Sequence, residues 1–197
     1  MMKAICAATA MTLAGSSLTA GAAEPDDIHR YLVERTFPAG ALDGVDATAK
    51  KKVNANNESL DVNWEKSYTN ADKTKTYCIY TGPSETAVRE AARINGMGAD
   101  VVTEIPEDIK AEPRGAVQQI ATGNQRYLVK RPGTPKVRDA ADQKFGVKLL
   151  TSYGTADRRH SYWVYEAPSM SAVESAVKAS GTPIESIIVI PETLYPN

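Results

Sequence analysis

Several residue types and motifs that define common enzyme classes are scarce in this chain of 197 residues. The sequence has two cysteines, Cys6 and Cys78, and two histidines, His29 and His160. It contains no paired-cysteine metal motif, no helical His-Glu-x-x-His, no glycine-rich phosphate loop and no nucleophile elbow. These absences argue against the motif-defined enzyme classes and favour a binding protein.

An excess of charge of one sign is also lacking, because 23 lysines and arginines oppose 24 aspartates and glutamates. Proteins that bind nucleic acid usually carry a strongly basic face, so we expect no nucleic-acid partner. Beyond the N-terminus, no segment is apolar enough to cross a bilayer. We therefore expect no membrane span in the mature protein.

The N-terminus has the pattern of a secretory signal peptide. Lys3 gives a positive start, Ala4–Leu18 carries no charge, and Ala20–Ala23 supplies small residues at a cleavage site. The apolar run is shorter than the roughly 20 residues that a membrane-spanning helix needs, although an uncleaved anchor is the alternative. We expect an exported, periplasmic or secreted protein in which Cys78 is the only remaining cysteine.

The chain contains one sequence twice. Arg30–Arg35 reads RYLVER and Arg126–Arg131 reads RYLVKR, while Ser67–Pro83 aligns with Ser152–Pro168, 85 residues later. Repetition at a fixed period indicates a duplicated structural unit. The predicted regions are a signal peptide at residues 1–23, a first domain at 28–107, a linker at 108–124 and a second domain at 125–197.

Each copy has the pattern strand, helix, strand, strand, helix, strand. The predicted strands of the first copy are Arg30–Phe37, Val62–Thr69, Lys75–Tyr80 and Ala99–Ile105. Its helices are predicted around Leu42–Val53 and between the N-cap Ser84 and Gly96. The predicted elements of the second copy are strands Tyr127–Arg131, Lys148–Tyr153, His160–Tyr165 and Ile184–Ile190, and helices at Lys136–Phe145 and after Ser169 or Ser171.

This βαββαβ order predicts an α+β protein made of two tandem ferredoxin-like domains, each an alpha-beta plait. The spacing of Ser171 and Glu174 matches a reciprocal capping pattern for the last helix. Strand Ile184–Ile190 (IESIIVI) is apolar on both faces, whereas a sheet with one face in water should alternate. We therefore predict that the two sheets pack face to face within one chain, with helices outside, and that the protein is a monomer.

Tyrosines of the predicted hairpins are candidates for a ligand cleft, because a buried hydroxyl needs a partner and can orient a ligand. The alternative is an aromatic core. Glu34 and Arg35 end the first strand, and neighbouring strand residues point to opposite faces. The replacement of Glu34 by Lys130 in the second copy is interpreted as drift on a solvated edge rather than as an ion pair. The candidate cleft residues are Glu34, Arg35, Tyr68, Tyr77, Tyr80, Tyr153, Tyr162 and Tyr165.

The two histidines, His29 and His160, are weak candidates for metal ligands, because imidazole is a common ligand. A lone surface histidine without a function is the alternative, and a nickel or zinc site would need several converging donors. Cys78 is interpreted as a small buried apolar residue, since the second copy has Trp163 at the same position.

Four strings of the first copy resemble a small nickel-binding-protein family: YLVERTFP from Tyr31, W-x-x-SY from Trp64, KTKTYCIY-x-x-PS from Lys73 and AVREAARINGMGAD from Ala87. The resemblance covers Arg30–Glu107 and, more divergently, Arg126–Glu192. It implies a ferredoxin-like fold that dimerises and a divalent metal, such as nickel, as cofactor or cargo. The histidines that such relatives carry are replaced here by Lys66, Thr151, Ala91 and Ala176, so the resemblance supplies no metal ligand.

The leading hypothesis is an exported, non-catalytic protein that binds a small molecule or a divalent metal ion, or that acts as an accessory factor. The alternative is a ferredoxin-like barrel enzyme of the cofactor-poor monooxygenase or isomerase type. Such an enzyme would have its cleft between the sheet and the helices, built from tyrosine, tryptophan and arginine without a linear motif.

Overall fold

A computed structural model describes residues 27–106, 108–110, 120–134 and 144–196 of the protein. The predicted signal peptide, most of the predicted linker and most of the predicted helix Lys136–Phe145 lie outside these residues. The described residues form a mixed α+β fold with two antiparallel five-stranded sheets. None of the described helices is long and apolar enough to cross a membrane.

The first sheet carries two helices. Its helices are α1 (Ala47–Glu58) and α2 (Glu85–Ile94). Its strands are β1 (His29–Thr36), β2 (Asn63–Thr69), β3 (Lys75–Gly82), β4 (Val101–Glu104) and β10 (Glu192–Leu194). Their order across the sheet is β10-β2-β3-β1-β4.

The second sheet has the same arrangement of strands. Its strands are β5 (Asp108–Lys110), β6 (Gln125–Pro132), β7 (Lys148–Gly154), β8 (His160–Ala167) and β9 (Ser186–Val189), and its described helix is α3 (Met170–Ala179). Their order is β5-β7-β8-β6-β9, which places strands of the second repeat at the positions of their counterparts in the first.

The helix ends follow from local hydrogen bonding. Ser84 caps α2 as predicted, because its side chain accepts a hydrogen bond from the Ala87 amide. Helix α1 begins later than its apolar spacing indicates, since Asp46 is its N-cap. The capping pattern predicted for Ser171 with Glu174 is wrong: Ser169 caps α3, which begins at Met170.

The edge strands are exchanged between the two halves of the chain, residues 27–110 and 120–196. Strand β10, near the C-terminus, pairs with β2 of the first half, and β5 pairs with β7 of the second half. The sequence pattern predicts neither of these three-residue strands and places 108–110 in the linker. Each exchanged strand covers an edge that would otherwise expose unpaired backbone groups.

Buried side chains form three layers. The central layer lies between the sheets and draws on both, with Leu32, Ile79, Leu128 and Val164 at its centre. A second layer lies between the first sheet and its helices, and a third between the second sheet and α3. The strands are therefore apolar on both faces because each sheet is covered on both sides.

Residues at matching repeat positions meet in the central layer. The hydroxyl oxygens of Tyr68 and Tyr153 lie 3.0 Å apart, and the ring centres of Tyr77 and Tyr162 lie 6.2 Å apart. The β2 and β7 strands each contain a register shift at the same place, at Trp64/Lys66 and at Leu149/Thr151. An approximate twofold axis therefore passes between the two sheets.

Candidate ligand-binding pocket

A pocket opens between α1 and the helix-facing side of the first sheet. It contains about 530 Å³ of empty space, counting the space at its open mouth. The enclosed part is about 90 Å³, smaller than the cavities of about 300–1,000 Å³ that enclose drug-sized ligands, so part of a larger ligand would lie at the open mouth. Its walls are mainly apolar and include Phe37, Leu42, Val45, Val53, Met97 and Leu194.

The pocket exists because α1 is poor in large apolar residues. The side chains that α1 directs into the pocket are Ala49, Lys50 and Val53. Alanine and valine are too small to fill the space above the sheet, and the lysine amino group keeps to water while its stem lines the wall. The neighbouring α2, in contrast, buries Val88, Ala91 and Ala92. A gap therefore remains under α1.

The C-terminal strand completes the pocket. Leu194 of β10 contributes to the wall even though β10 follows the second repeat. Its backbone is fixed by pairing with Ser67 of β2, and the Asn54 side chain of α1 donates a hydrogen bond to the Pro196 carbonyl at 3.3 Å. The pocket of the first half is thus closed by a segment of the second half.

Arg35 lies at the bottom of the pocket and is 3% exposed. Its Nε donates a hydrogen bond to the Gly98 carbonyl at 2.7 Å, and its Nη1 donates to the Tyr80 hydroxyl at 3.3 Å. The guanidinium carbon lies 5.2 Å from the centre of the Tyr80 ring. These contacts fix the plane of the guanidinium group.

Three hydroxyl groups lie beside Arg35 and, with it, make up the pocket floor: Ser67, Thr76 and Tyr80. The Trp64 indole donates to the Ser67 hydroxyl at 2.9 Å. The Cys78 thiol donates to the Thr76 hydroxyl at 3.3 Å, and Cys78 is buried, as the sequence indicates. Each floor hydroxyl therefore already accepts one hydrogen bond from the protein.

The predicted cleft residues lie in two places. Tyr68, Tyr77, Tyr153 and Tyr162 pack in the central layer between the sheets. Tyr80 lies on the α1 side of the first sheet, and Tyr165 lies on the α3 side of the second. Because Glu34 and Arg35 are adjacent on β1, they point to opposite faces. Only Arg35 and Tyr80 of the predicted set line the pocket under α1.

Glu34 contacts the second half of the chain in the central layer. Its Oε1 lies 2.8 Å from the Lys130 amino group and accepts a hydrogen bond of 2.7 Å from the Tyr162 hydroxyl. The interpretation of the Glu34-to-Lys130 change as drift is therefore wrong. The two positions approach each other across the approximate twofold axis, where opposite charges attract and like charges would repel.

Buried tyrosines are expected to make the fold sensitive to alkali. Burial raises the pKa of Tyr77 to about 12, and the Glu34 carboxylate acts in the same direction. Burial also raises the pKa of Tyr80 to about 12, against the opposing effect of Arg35. A raised folded pKa stabilises the protein fully below the unfolded value of about 10, and this stabilisation is lost as the pH rises toward 12.

We expect tyrosinate absorbance of the buried side chains and loss of near-ultraviolet circular dichroism to appear together above about pH 10. A titration that follows both signals checks this. Ionisation of most of the nine tyrosines while the circular dichroism stays native would contradict it.

The two histidines do not converge. His29 pairs in register with Gly82 in the first sheet, and its Nδ1 lies 2.8 Å from a Glu104 carboxylate oxygen. His160 lies in the second sheet, with its Nδ1 3.1 Å from the Glu185 carboxylate. Among the residues that the structure describes, no three histidine, cysteine, aspartate or glutamate side chains are grouped so that they could hold a metal ion. The replaced family positions Lys66, Thr151, Ala91 and Ala176 are buried.

The corresponding region of the second half is packed differently. Trp163 occupies the position of Cys78 and is 2% exposed. Its ring stacks on Tyr165 at 6.2 Å and lies under the Arg131 guanidinium at 4.9 Å. A large indole therefore stands in the second half where a thiol borders the pocket in the first.

Comparison with known proteins gives one family. Residues 31–105 match the family of nickel-responsive SCO4226-like proteins. This match confirms the resemblance of the first repeat to the nickel-binding family, and it includes every pocket residue named above except Leu194 and Pro196. No curated protein matches the chain.

Similar solved structures include an anthrone oxidase-like protein, with 11% identity and a TM-score of 0.41, covering 88% of this chain and 95% of that one. Another is a mutant chlorite dismutase from Candidatus Nitrospira defluvii in complex with cyanide, with 8% identity and a TM-score of 0.44, covering 82% and 88%. Because both TM-scores are below 0.5, we draw no conclusion from them.

Proposed function

We propose that this protein is a small-molecule-binding protein whose ligand occupies the pocket under α1. The observation that carries the proposal is the combination of apolar walls with a buried polar floor at Arg35 and Tyr80. Ligand sites in proteins are typically concave and mainly apolar, with a few placed polar groups that orient the ligand. The pocket has this composition.

The composition of the pocket favours binding without catalysis. Proton-transfer enzymes need an acid or base whose pKa lies near the working pH. In the described part of the chain, no histidine, aspartate or glutamate lines the pocket. The Tyr80 hydroxyl, with its pKa raised to about 12 by burial, stays protonated at neutral pH. The barrel-enzyme alternative therefore has no histidine or carboxylate here to act as acid or base.

We also propose that the chain is a tandem duplication of a ferredoxin-like unit, whose two copies form a pseudo-dimer within one chain. The matching strand orders support this, as do the contacts between equivalent residues Tyr68 and Tyr153. The exchanged strands β5 and β10 support it further, because each copy would donate its last strand to the other. The pocket then depends on both copies.

Nickel is the second candidate ligand, because the family that matches residues 31–105 is described as nickel-responsive. The described residues offer only separate pairs for this ion, such as His29 with Glu104. A tight nickel site usually combines several nitrogen or sulfur donors. We therefore expect nickel to bind more weakly than a small molecule that fits the pocket.

The test is the fluorescence of N-phenyl-1-naphthylamine, a neutral apolar probe that brightens in apolar sites. Ala49→Phe places a benzyl group in the pocket and is expected to weaken probe binding at least about tenfold, since hiding about 60 Å² of apolar surface is worth about 1.5 kcal/mol. The matched control is Ala55→Phe, because Ala55 is exposed on the same helix.

Two outcomes would contradict the proposal. One is the absence of saturable probe binding to the unmodified protein, and the other is equal binding by the two phenylalanine variants. Circular dichroism of both variants verifies that they are folded. Nickel is titrated in parallel by calorimetry, and a sub-micromolar nickel affinity that Ala49→Phe leaves unchanged would favour the metal alternative.

A further inference from the structure

Arg35 is a buried cation without a carboxylate partner among the described residues. It contacts the Gly98 carbonyl, the Tyr80 hydroxyl and the Cys78 thiol, and the last two are the ionisable groups nearest to it. Other arginines of the first half have carboxylate partners, such as Arg30 with Glu65 at 2.6 Å. A buried charge is costly unless an opposite charge or hydrogen bonds compensate it.

The pocket floor offers mainly hydrogen-bond donors. A guanidinium has five N–H donors and no acceptor, and those of Arg35 contact the Gly98 carbonyl, the Tyr80 hydroxyl and the Cys78 thiol. The hydroxyls of Ser67, Thr76 and Tyr80 each accept a bond from the protein. No donation from these three hydroxyls to another described residue is present, which leaves their protons for a ligand that reaches the floor. The floor therefore offers donors to a ligand that brings acceptors.

The charged side chains that line the pocket are positive. Arg35 lies at the bottom and Lys50 contributes to the wall, while no acidic side chain of the described residues lines the pocket. Apolar walls exclude water and strengthen the interaction of a fixed charge with an ion of opposite sign. The pocket is thus suited to a molecule with one anionic end and an apolar body.

We propose that the ligand is an apolar monocarboxylate whose carboxylate binds Arg35 and the floor hydroxyls. This inference rests on the proposed function, since it concerns the same pocket. A carboxylate is an acceptor-only group and matches the planar guanidinium by two parallel hydrogen bonds. The single buried guanidinium balances one negative charge. The walls formed by Phe37, Val53 and Leu194 would contact the body of the ligand.

The contacts of Arg35 hold its guanidinium group in position before a ligand binds. The Gly98 carbonyl holds Nε, and the Tyr80 ring lies alongside the guanidinium plane. A side chain that is already ordered loses little conformational entropy when it binds, which favours affinity. We assign the guanidinium N–H groups that these contacts leave over to the carboxylate.

The test compares probes that differ only at the anionic end. Decanoate and decanamide have the same shape but one is charged, and 2-naphthoate and 2-naphthamide form a second pair with an aromatic body. Calorimetry on the full chain is expected to show that at least one carboxylate binds about 10–100 times more tightly than its amide, as charge-assisted hydrogen bonds require. The pair with the stronger preference distinguishes an aliphatic from an aromatic acid.

Two variants test whether Arg35 causes the preference for carboxylate over amide. Arg35→Met is expected to abolish the preference for carboxylate while leaving amide binding within about threefold, because the methionine keeps the apolar contacts. Lys51→Met, at an exposed lysine of the same helix outside the pocket, is the matched control and is expected to keep the preference. The comparison of carboxylate with amide on the unmodified protein needs no variant, so it stands even if Arg35→Met does not fold.

Each outcome decides between the proposals. If neither member of either pair binds and N-phenyl-1-naphthylamine does not bind, the proposed function fails. If amides bind as tightly as carboxylates, the small-molecule function stands and the carboxylate inference is overturned. A preference that persists in Arg35→Met, or that disappears equally in Lys51→Met, would overturn the assignment to Arg35.

Discussion

Replacing Lys130 with glutamate is expected to lower the free energy of unfolding by about 2–3 kcal/mol. The Glu34 and Lys130 side chains are 19% and 21% exposed and lie 2.8 Å apart. Breaking a fully buried ion pair costs about 3–5 kcal/mol, and the partial exposure of this pair reduces that value. The substitution also places two carboxylates where the Tyr162 hydroxyl donates to only one of them.

The double substitution Glu34→Lys with Lys130→Glu is expected to recover most of this loss. The two positions are related by the approximate twofold axis, as are Tyr77 and Tyr162, which lie against each other. After the exchange of charges, Tyr77 is therefore placed to donate to the new carboxylate at position 130. The ion pair is then restored, with the amino group on β1 and the carboxylate on β6.

Urea unfolding followed by circular dichroism measures both variants. Lys75→Glu, an exposed lysine at the start of β3, is the control for the change in net charge and is expected to shift stability by less than about 0.5 kcal/mol. A cost of Lys130→Glu as small as that of the control would show that the ion pair contributes nothing. Failure of the double variant to recover stability would contradict the role of the twofold axis.

A chain ending at Pro191 is expected to lose about 3 kcal/mol of stability and to lose ligand binding in the pocket. The truncation removes β10, which pairs with Ser67–Thr69 of β2, and it removes the half-buried Leu194. Two or three backbone hydrogen bonds at about 1 kcal/mol each, together with about 1 kcal/mol from Leu194, give this estimate. Binding is lost because Leu194 forms part of the wall.

The control is a chain ending at Pro196, which keeps all of β10 and the Pro196 oxygen that accepts from Asn54, and lacks only Asn197. Urea unfolding measures stability, and N-phenyl-1-naphthylamine fluorescence measures the pocket. The shorter chain also exposes the edge of β2, so light scattering is expected to show association that the control lacks. Equal stability and equal probe binding of the two chains would contradict the role of β10.

The sequence predicts most of the central elements, because their signals are local. Ser84 before α2 and Gly96 after it mark the ends of that helix, and Gly96 has the positive φ of 67° that favours glycine. The hairpin β2–β3 is identified by its polar turn. Because the second half repeats the sequence pattern of the first, the same elements are predicted there.

Other features depend on contacts between distant segments and have no local signal. Strands β5 and β10 have three residues each, which is too short for an alternating pattern to be visible. The Glu34–Lys130 pair depends on the distance between two sheets. The pocket forms because the side chains of Ala49 and Val53 on α1 are too small to fill the space above the sheet. Such a gap can be recognised only once the packing is known.

Arg35 was identified as a candidate from its place at the end of β1, yet its environment could not be predicted. Strand alternation places Arg35 and Glu34 on opposite faces. It does not indicate which face lies under α1, since both faces of the sheet are covered by apolar residues. Tyr80 presents the same difficulty, because Tyr77 and Ile79 alternate with Cys78 and Tyr80, so each face of β3 carries a tyrosine.

The exchange of Cys78 for Trp163 has a consequence for stoichiometry. A symmetric assembly of two identical units would have two equal ligand-binding sites. In this chain Trp163 stands in the second half where Cys78 borders the pocket in the first, so the two halves are not equivalent at this position. If the proposed ligand binds under α1, we expect that site to saturate at one equivalent per polypeptide.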